Sequence, residues 1–131
     1  MSTGVQFSGG ETRTITMDSD LSAKAGYAVT LDATDEENVN LAGAATAFPF
    51  VLVEGADGSV AKATGSIALS GRTVVKCGGT VAPGDKLTSD GSGKWIKTVT
   101  DKDHYGAIAL EIGASDDEIE VLVAQGLVSA T

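Results

Sequence analysis

The residues that could do covalent or acid–base chemistry are few. The chain has one cysteine, Cys77, and one histidine, His104. A thiol–imidazole pair can attack an acyl carbon when the two lie in hydrogen-bond reach and a third group orients the base. Their contexts point elsewhere. Cys77 closes the β-branched run "RTVVKC", where a cysteine serves as a small buried hydrophobe. His104 lies in "TDKDHYG", read as a polar loop between strands. The segment "SDGSGKW" carries a Gly-Lys step, but a phosphate loop needs G-x-x-x-x-G-K-[ST] feeding a helix. Trp95 stands where Ser or Thr is required and strand-like residues come after it, so no helix N-terminus is offered to an anion.

Metal chemistry is equally poorly supplied. Zinc needs three or four Cys/His ligands at tight spacing. "ASDDEIE" sets Asp116, Asp117 and Glu118 side by side, but adjacent side chains do not converge on one cation without a sharp turn, so this reads as a solvated acidic turn. Paired carboxylates for glycoside hydrolysis leave no spacing signal in a sequence. Sugar-processing sites usually add aromatic platforms, and Trp95 stands nearly alone. The expectation is a protein that is not an enzyme and uses no cofactor or metal.

The elements that would position these residues are short and β-rich. A chain of 131 residues fits one domain with a modest core. Seventeen glycines against two prolines, with the apolar content mostly Ala, Val, Leu and Ile, favour many turns over long helices. "TRTITM" (Thr12 to Met17) and "YAVTLD" (Tyr27 to Asp32) alternate at period two. "FPFVLVE" is a short buried strand with Pro49 at its start. "VAKATGSIALSG" gives one or two strands broken at Gly65, and "RTVVKC" another. "KLTSDGSGKWIKTVT" is a hairpin, and "HYGAIALEIG" and "EIEVLVAQGLV" are the last strands.

This gives an all-β fold, a compact barrel or sandwich of about nine to eleven short strands spaced roughly every 8–12 residues. At most one short helix is expected, near residues 18–25 or 34–42, since Asp35, Glu36 and Glu37 suit a helical first turn. Val39 and Leu41 could equally start a strand there. Residues 1–11 read as a flexible N-terminal arm and residues 12–131 as a single β-rich domain. "GSIALSG" and "GAIALEIG" echo one another and are read as similar β-corners, too few for a repeat array.

Charge bounds the partners. A formal net charge of −9, with no basic run, argues against nucleic acid. No segment approaches the ~18 apolar residues of a membrane span. The N-terminal stretch lacks the basic-then-apolar order of a secretory signal, so synthesis in the cytoplasm is expected. One cysteine allows no intramolecular disulfide.

Within "TVAPGDKLTSDGSGKWIKT" (Thr80 to Thr98), Pro83 presets a turn with Gly84 behind it, and Asp85 can accept a backbone N–H. Asp90 to Gly93 closes a hairpin, and Trp95 starts the return strand. The segment from Gly65 to Gly126 resembles the small capsid decoration (cement) proteins of tailed bacteriophages, a group long known only as a phage domain of unknown function. A "V-x-x-G-D-x-L" step is matched by Val81, Gly84, Asp85 and Leu87. A "D-x-x-G-K" turn is matched by Asp90, Gly93 and Lys94. A "G-x-A-L-E" strand is matched loosely by Gly106, Ala109, Leu110 and Glu111, and an "I-E-V-L-V" strand runs from Ile119 to Val123.

The resemblance implies a structural virion protein on the outer surface of a phage head. It would bind the major capsid protein, clamp neighbouring subunits and form a homotrimer, with no catalytic residues. The alternatives are a tail- or fibre-associated β-domain, or a carbohydrate- or surface-binding β-sandwich. Val5 and Phe7, apolar points in a polar arm, are candidates for capsid contact. Phe48, Phe50 and Trp95 are candidates for a subunit interface, because large aromatics dominate interface energetics and a small core gains from association.

Overall fold

A computed structural model describes residues 11–32, 34–45, 48–59 and 61–129. Ten strands and no helix occur among them: β1 (Thr12–Met17), β2 (Ala28–Asp32), β3 (Asp35–Leu41), β4 (Phe50–Glu54), β5 (Ala63–Ala68), β6 (Gly71–Lys76), β7 (Lys86–Ser89), β8 (Trp95–Lys97), β9 (His104–Ala109) and β10 (Glu118–Leu127). The fold is all-β. The first five strands close a barrel in the order β1-β3-β2-β4-β5, sealed by the β1–β5 ladder from Thr12–Ala68 to Met17–Ala63. Within the barrel only β1 and β3 run parallel. The other five form a sheet in the order β6-β10-β9-β7-β8.

Neither place considered for a short helix holds one. Residues 35–41 are β3, paired with β2 on one side and β1 on the other. The acidic start favours a helix only locally, whereas closing the barrel requires a strand there, with Val39 fully buried in its lumen. Residues 18–25 make two turns, with Lys24 N–H donating to the Leu21 carbonyl and Tyr27 N–H to that of Lys24.

Two of the finer sequence readings also change. β5 runs unbroken through Gly65, and the irregularity lies opposite, on β4 between Leu52 and Glu54. A Cβ on Gly65 would fall 2.1 Å from the Glu54 carbonyl oxygen, so the glycine permits close strand approach instead of ending the strand. His104 opens β9 and is half-buried, not a solvated loop residue.

Side-chain alternation explains how one barrel serves two cores. Val29, Leu52 and Ile67 point into the lumen with Ile15, Met17, Leu21 and Val39. Their chain neighbours Ala28, Val51 and Ala68 join the other cluster, which holds Val75, Leu87, Trp95, Ala107, Ala109, Ile119 and Val121 of the sheet. Consecutive residues are thus buried on both faces of the barrel wall. The many alanines on the sheet side let the two layers approach closely, and Trp95 supplies the bulk.

Backbone hydrogen bonds stitch the layers and leave few open edges. Gly26 accepts from Lys76 N–H (3.1 Å) at the free side of β6 and donates to the Leu52 carbonyl (2.7 Å). Ala28 N–H donates to the Gly93 carbonyl (2.6 Å), and Gly78 N–H to the Trp95 carbonyl (2.7 Å). The last bond accompanies an isolated Cys77–Trp95 bridge that brings the two ends of the sheet together. Covered edges cannot recruit a stray strand.

Two turns of one design lead into β7 and β10. Asp85 accepts from Ala82 N–H (2.9 Å) while its own N–H donates to the Ala82 carbonyl (3.1 Å). Asp117 does the same with Ala114 (2.9 and 3.0 Å). The residue before each aspartate is left-handed, Gly84 at φ 91° and Asp116 at φ 72°. The turns begin side by side, because Val81 and Gly113 exchange backbone hydrogen bonds of 2.9 and 3.1 Å.

Candidate functional surface

The residues that could have done chemistry are kept apart. Cys77 adjoins Asp117, whose carbonyl accepts its N–H, whereas His104 pairs with Leu127. The two therefore sit at opposite ends of β10, far beyond hydrogen-bond reach of one another. Burial, helped by the Asp117 carboxylate, pushes the Cys77 thiol up to about 11, which holds it protonated and a poor nucleophile. Lys94, the cation of the Gly-Lys step, donates at 2.6 Å to Asp116 Oδ1 across the two loops. That bond raises the Lys94 pKa and lowers that of Asp116. Asp90 is occupied by the backbone N–H groups of Ser92 and Lys94, which it accepts at 2.7 and 3.0 Å. The Thr80–Thr98 stretch is therefore turn framework. Among the described residues, no group of three or more His, Cys, Asp or Glu converges as a metal site.

The subunit-interface candidates separate. Trp95 is fully buried in the shared core, so its side chain has no surface to offer a partner in this fold. Its bulk fills a shared core whose other members are mostly alanines and valines. Phe50 is half-buried against the barrel lumen. Phe48 is 57% exposed. Val5 and Phe7 lie outside the described residues.

Phe48 has an unusual conformation. Its φ is 52°, in the left-handed region that suits Gly, Asn or Asp and that a bulky side chain seldom takes. It also precedes Pro49, and such residues are normally extended. The segment is pinned from behind, since Gln125 Nε2 donates at 2.6 Å to the Pro49 carbonyl. Gly106 allows this approach: a Cβ there would lie 2.3 Å from that same oxygen.

Phe48 then packs on His104, with ring centroids 4.5 Å apart and tilted by 57°. His104 is the cross-strand partner of Leu127, which is 56% exposed. Cross-strand partners share a face, so Phe48, His104 and Leu127 form one ridge spanning barrel and sheet. Beside it Thr30, Leu31, Phe48 and Phe50 line a cleft of about 310 Å³. His104 and Leu127 escaped the sequence reading because the β9–β10 register that joins them to Phe48 is not local.

A second apolar region lies on the sheet, where Leu122 and Leu110 are 40% and 39% exposed and Ile112 is 78% exposed. It is interrupted by charge. Arg72 is the cross-strand neighbour of Leu122 and lies 3.6 Å from Glu120. A second concavity, about 400 Å³, is lined by residues that include Gly84, Asp85, Lys86, Lys97 and Val99, with Lys97 3.8 Å from Asp85.

No protein-family model matches the chain, and no curated protein matches it. A solved structure does. The chain is similar to the N base of head fibre gp8.5 of bacteriophage phi29, with a TM-score of 0.66 and 17% identity. The match covers 87% of this chain and 93% of that one. At that identity the likeness is one of fold. It extends over nearly all of both chains, so barrel and sheet recur together as one architecture.

Proposed function

We propose that this chain is a structural component of a bacteriophage head, carried on the outer surface of the capsid. The observation behind this reading is the end-to-end fold match to a phage head-fibre base. The turn motifs shared with decoration proteins point to the same setting. The build suits the role: covered strand edges, backbone stitching between layers and a net charge of −9 describe a rigid body that stays soluble before assembly.

The finer proposal is that the protein binds the major capsid protein and clamps neighbouring subunits as a homotrimer. The N-terminal arm would supply the contact through Val5 and Phe7. The fold match favours a second form of the same reading, a base domain that seats a fibre on the head. The two differ in their effect on the head. A clamp raises the temperature at which heads rupture, whereas a fibre base leaves it unchanged. Adding purified protein to heads that lack it, then measuring co-sedimentation and head melting, tests both. Failure to co-sediment contradicts both. Deleting residues 2–11 is expected to weaken head binding at least tenfold, and unchanged affinity would remove the arm from the contact.

A further inference from the structure

The ridge and cleft at the junction of barrel and sheet have a composition that selects their occupant. We propose that Phe48, His104 and Leu127, together with the cleft walled by Thr30, Leu31 and Phe50, form the surface through which one copy of this chain docks on another. This deepens the self-association within the proposed function and rests on it.

The first argument is self-complementarity. The patch carries both a projection, Phe48 and Leu127 at 57% and 56% exposure, and an apolar cleft of about 310 Å³ beside it. A surface with both lets the projection of one copy enter the cleft of the next, the head-to-tail contact that closes a ring such as a trimer.

The second argument is charge. The chain carries −9, so two copies repel over most of their surface. None of the six residues has a carboxylate, so copies can meet there without burying like charges. A basic partner would gain nothing at this patch and would seek the acidic turns instead. The other exposed apolar region fails this criterion, since Leu122 is neighboured by Arg72 and by the Arg72–Glu120 pair.

The third argument is conformational. Holding Phe48 at φ 52° before a proline is unfavourable in the monomer, while its ring remains largely in water. Strain of this kind persists where the surroundings over-determine it and clusters at binding sites. Here the Gln125–Pro49 hydrogen bond and the His104 ring hold it. The arrangement presents the ring ready for burial, which lowers the ordering cost of association.

Sedimentation velocity on the full chain tests the inference. The wild type is expected to sediment as an oligomer, and F48D/L127D as a 13.1 kDa monomer. I112D, on the other apolar region, should keep the wild-type mass. Asp accepts positive φ more readily than Phe, so the double variant should stay folded, as an unchanged melting temperature would show. If it does not, F48N serves instead, with an expected tenfold or greater weakening of self-association. A wild type that is monomeric at every concentration overturns the proposal, as does a folded F48D/L127D of wild-type mass. Binding to heads separates this from the proposed function. A monomeric variant that still binds heads supports the interface and leaves head attachment standing. A variant of wild-type mass that no longer binds heads overturns the interface and makes these residues a capsid contact.

Discussion

The barrel and the sheet have five strands each but are held together differently. The barrel closes on itself through β1 and β5 and fills its lumen with branched aliphatics and Met17. The sheet shares its core with the outer wall of the barrel, and its ends meet at a single bridge, Cys77–Trp95. The barrel therefore owns its core, whereas the sheet borrows one and depends on a single large side chain at the seam. Glycines are required for two different reasons: Gly65 in β5 by crowding, and Gly84 in the turn before β7 by backbone conformation.

Substitutions can break this contrast, and the largest effect should come at the seam. Trp95→Ala is expected to destabilise the protein by about 3–5 kcal/mol, measured by denaturant unfolding, because it would leave a cavity among smaller core side chains, mostly alanines and valines. Trp95→Phe should cost clearly less, since the indole N–H meets no acceptor among the described residues. Near-equal costs would mean that Trp95 acts through something other than volume.

Gly65→Ala ranks next. Its Cβ would lie 2.1 Å from a carbonyl and 2.8 Å from Met17 Cε, so the β4–β5 ladder must shift, at about 1–3 kcal/mol. Gly84→Ala meets no atom within 4 Å, so its cost is that of φ 91° alone, about 1–2 kcal/mol. A larger loss at Gly84 than at Gly65 would contradict the ranking of crowding at Gly65 above conformation at Gly84.

The smallest effect concerns pH. Lys94 holds the Asp116 carboxyl below the ordinary aspartate range. A carboxylate with a lowered folded-state pKa contributes stability above its unfolded pKa and loses it as pH falls through the folded value. Hydrogen bonds from Ser22 and from Thr34 lower Asp20 and Asp32 in the same sense. Melting temperature should therefore fall on acidification below about pH 4, near the ordinary aspartate pKa. Asp116→Asn, which tolerates φ 72°, should reduce that fall slightly and change little at neutral pH. An unchanged acid dependence would remove the Lys94–Asp116 contact from the stability account.

Much of the framework was legible because it is local. The Pro83-Gly84-Asp85 turn, the Asp90–Gly93 hairpin and the buried Cys77 are set by residues a few positions apart. The β3 segment was ambiguous because its acidic start favours a helix while its place is set by strands distant in sequence. The echo of "GSIALSG" and "GAIALEIG" proved to be one strand from each layer, β5 and β9. The stronger structural echo, between the Ala82 and Ala114 turns, was hidden because Gly84 and Asp116 meet the same backbone demand with different side chains. The candidate surface was half legible. Phe48 stands out by composition, but its junction with His104 and Leu127 depends on strand register.

The most direct test of the central claim is imaging. Purified protein would be incubated with expanded phage heads that lack it, and the heads examined by electron cryo-microscopy with symmetry averaging. The account predicts added density of this barrel-and-sheet shape at regular positions on the outer capsid surface. Heads that remain bare at saturating protein would contradict it.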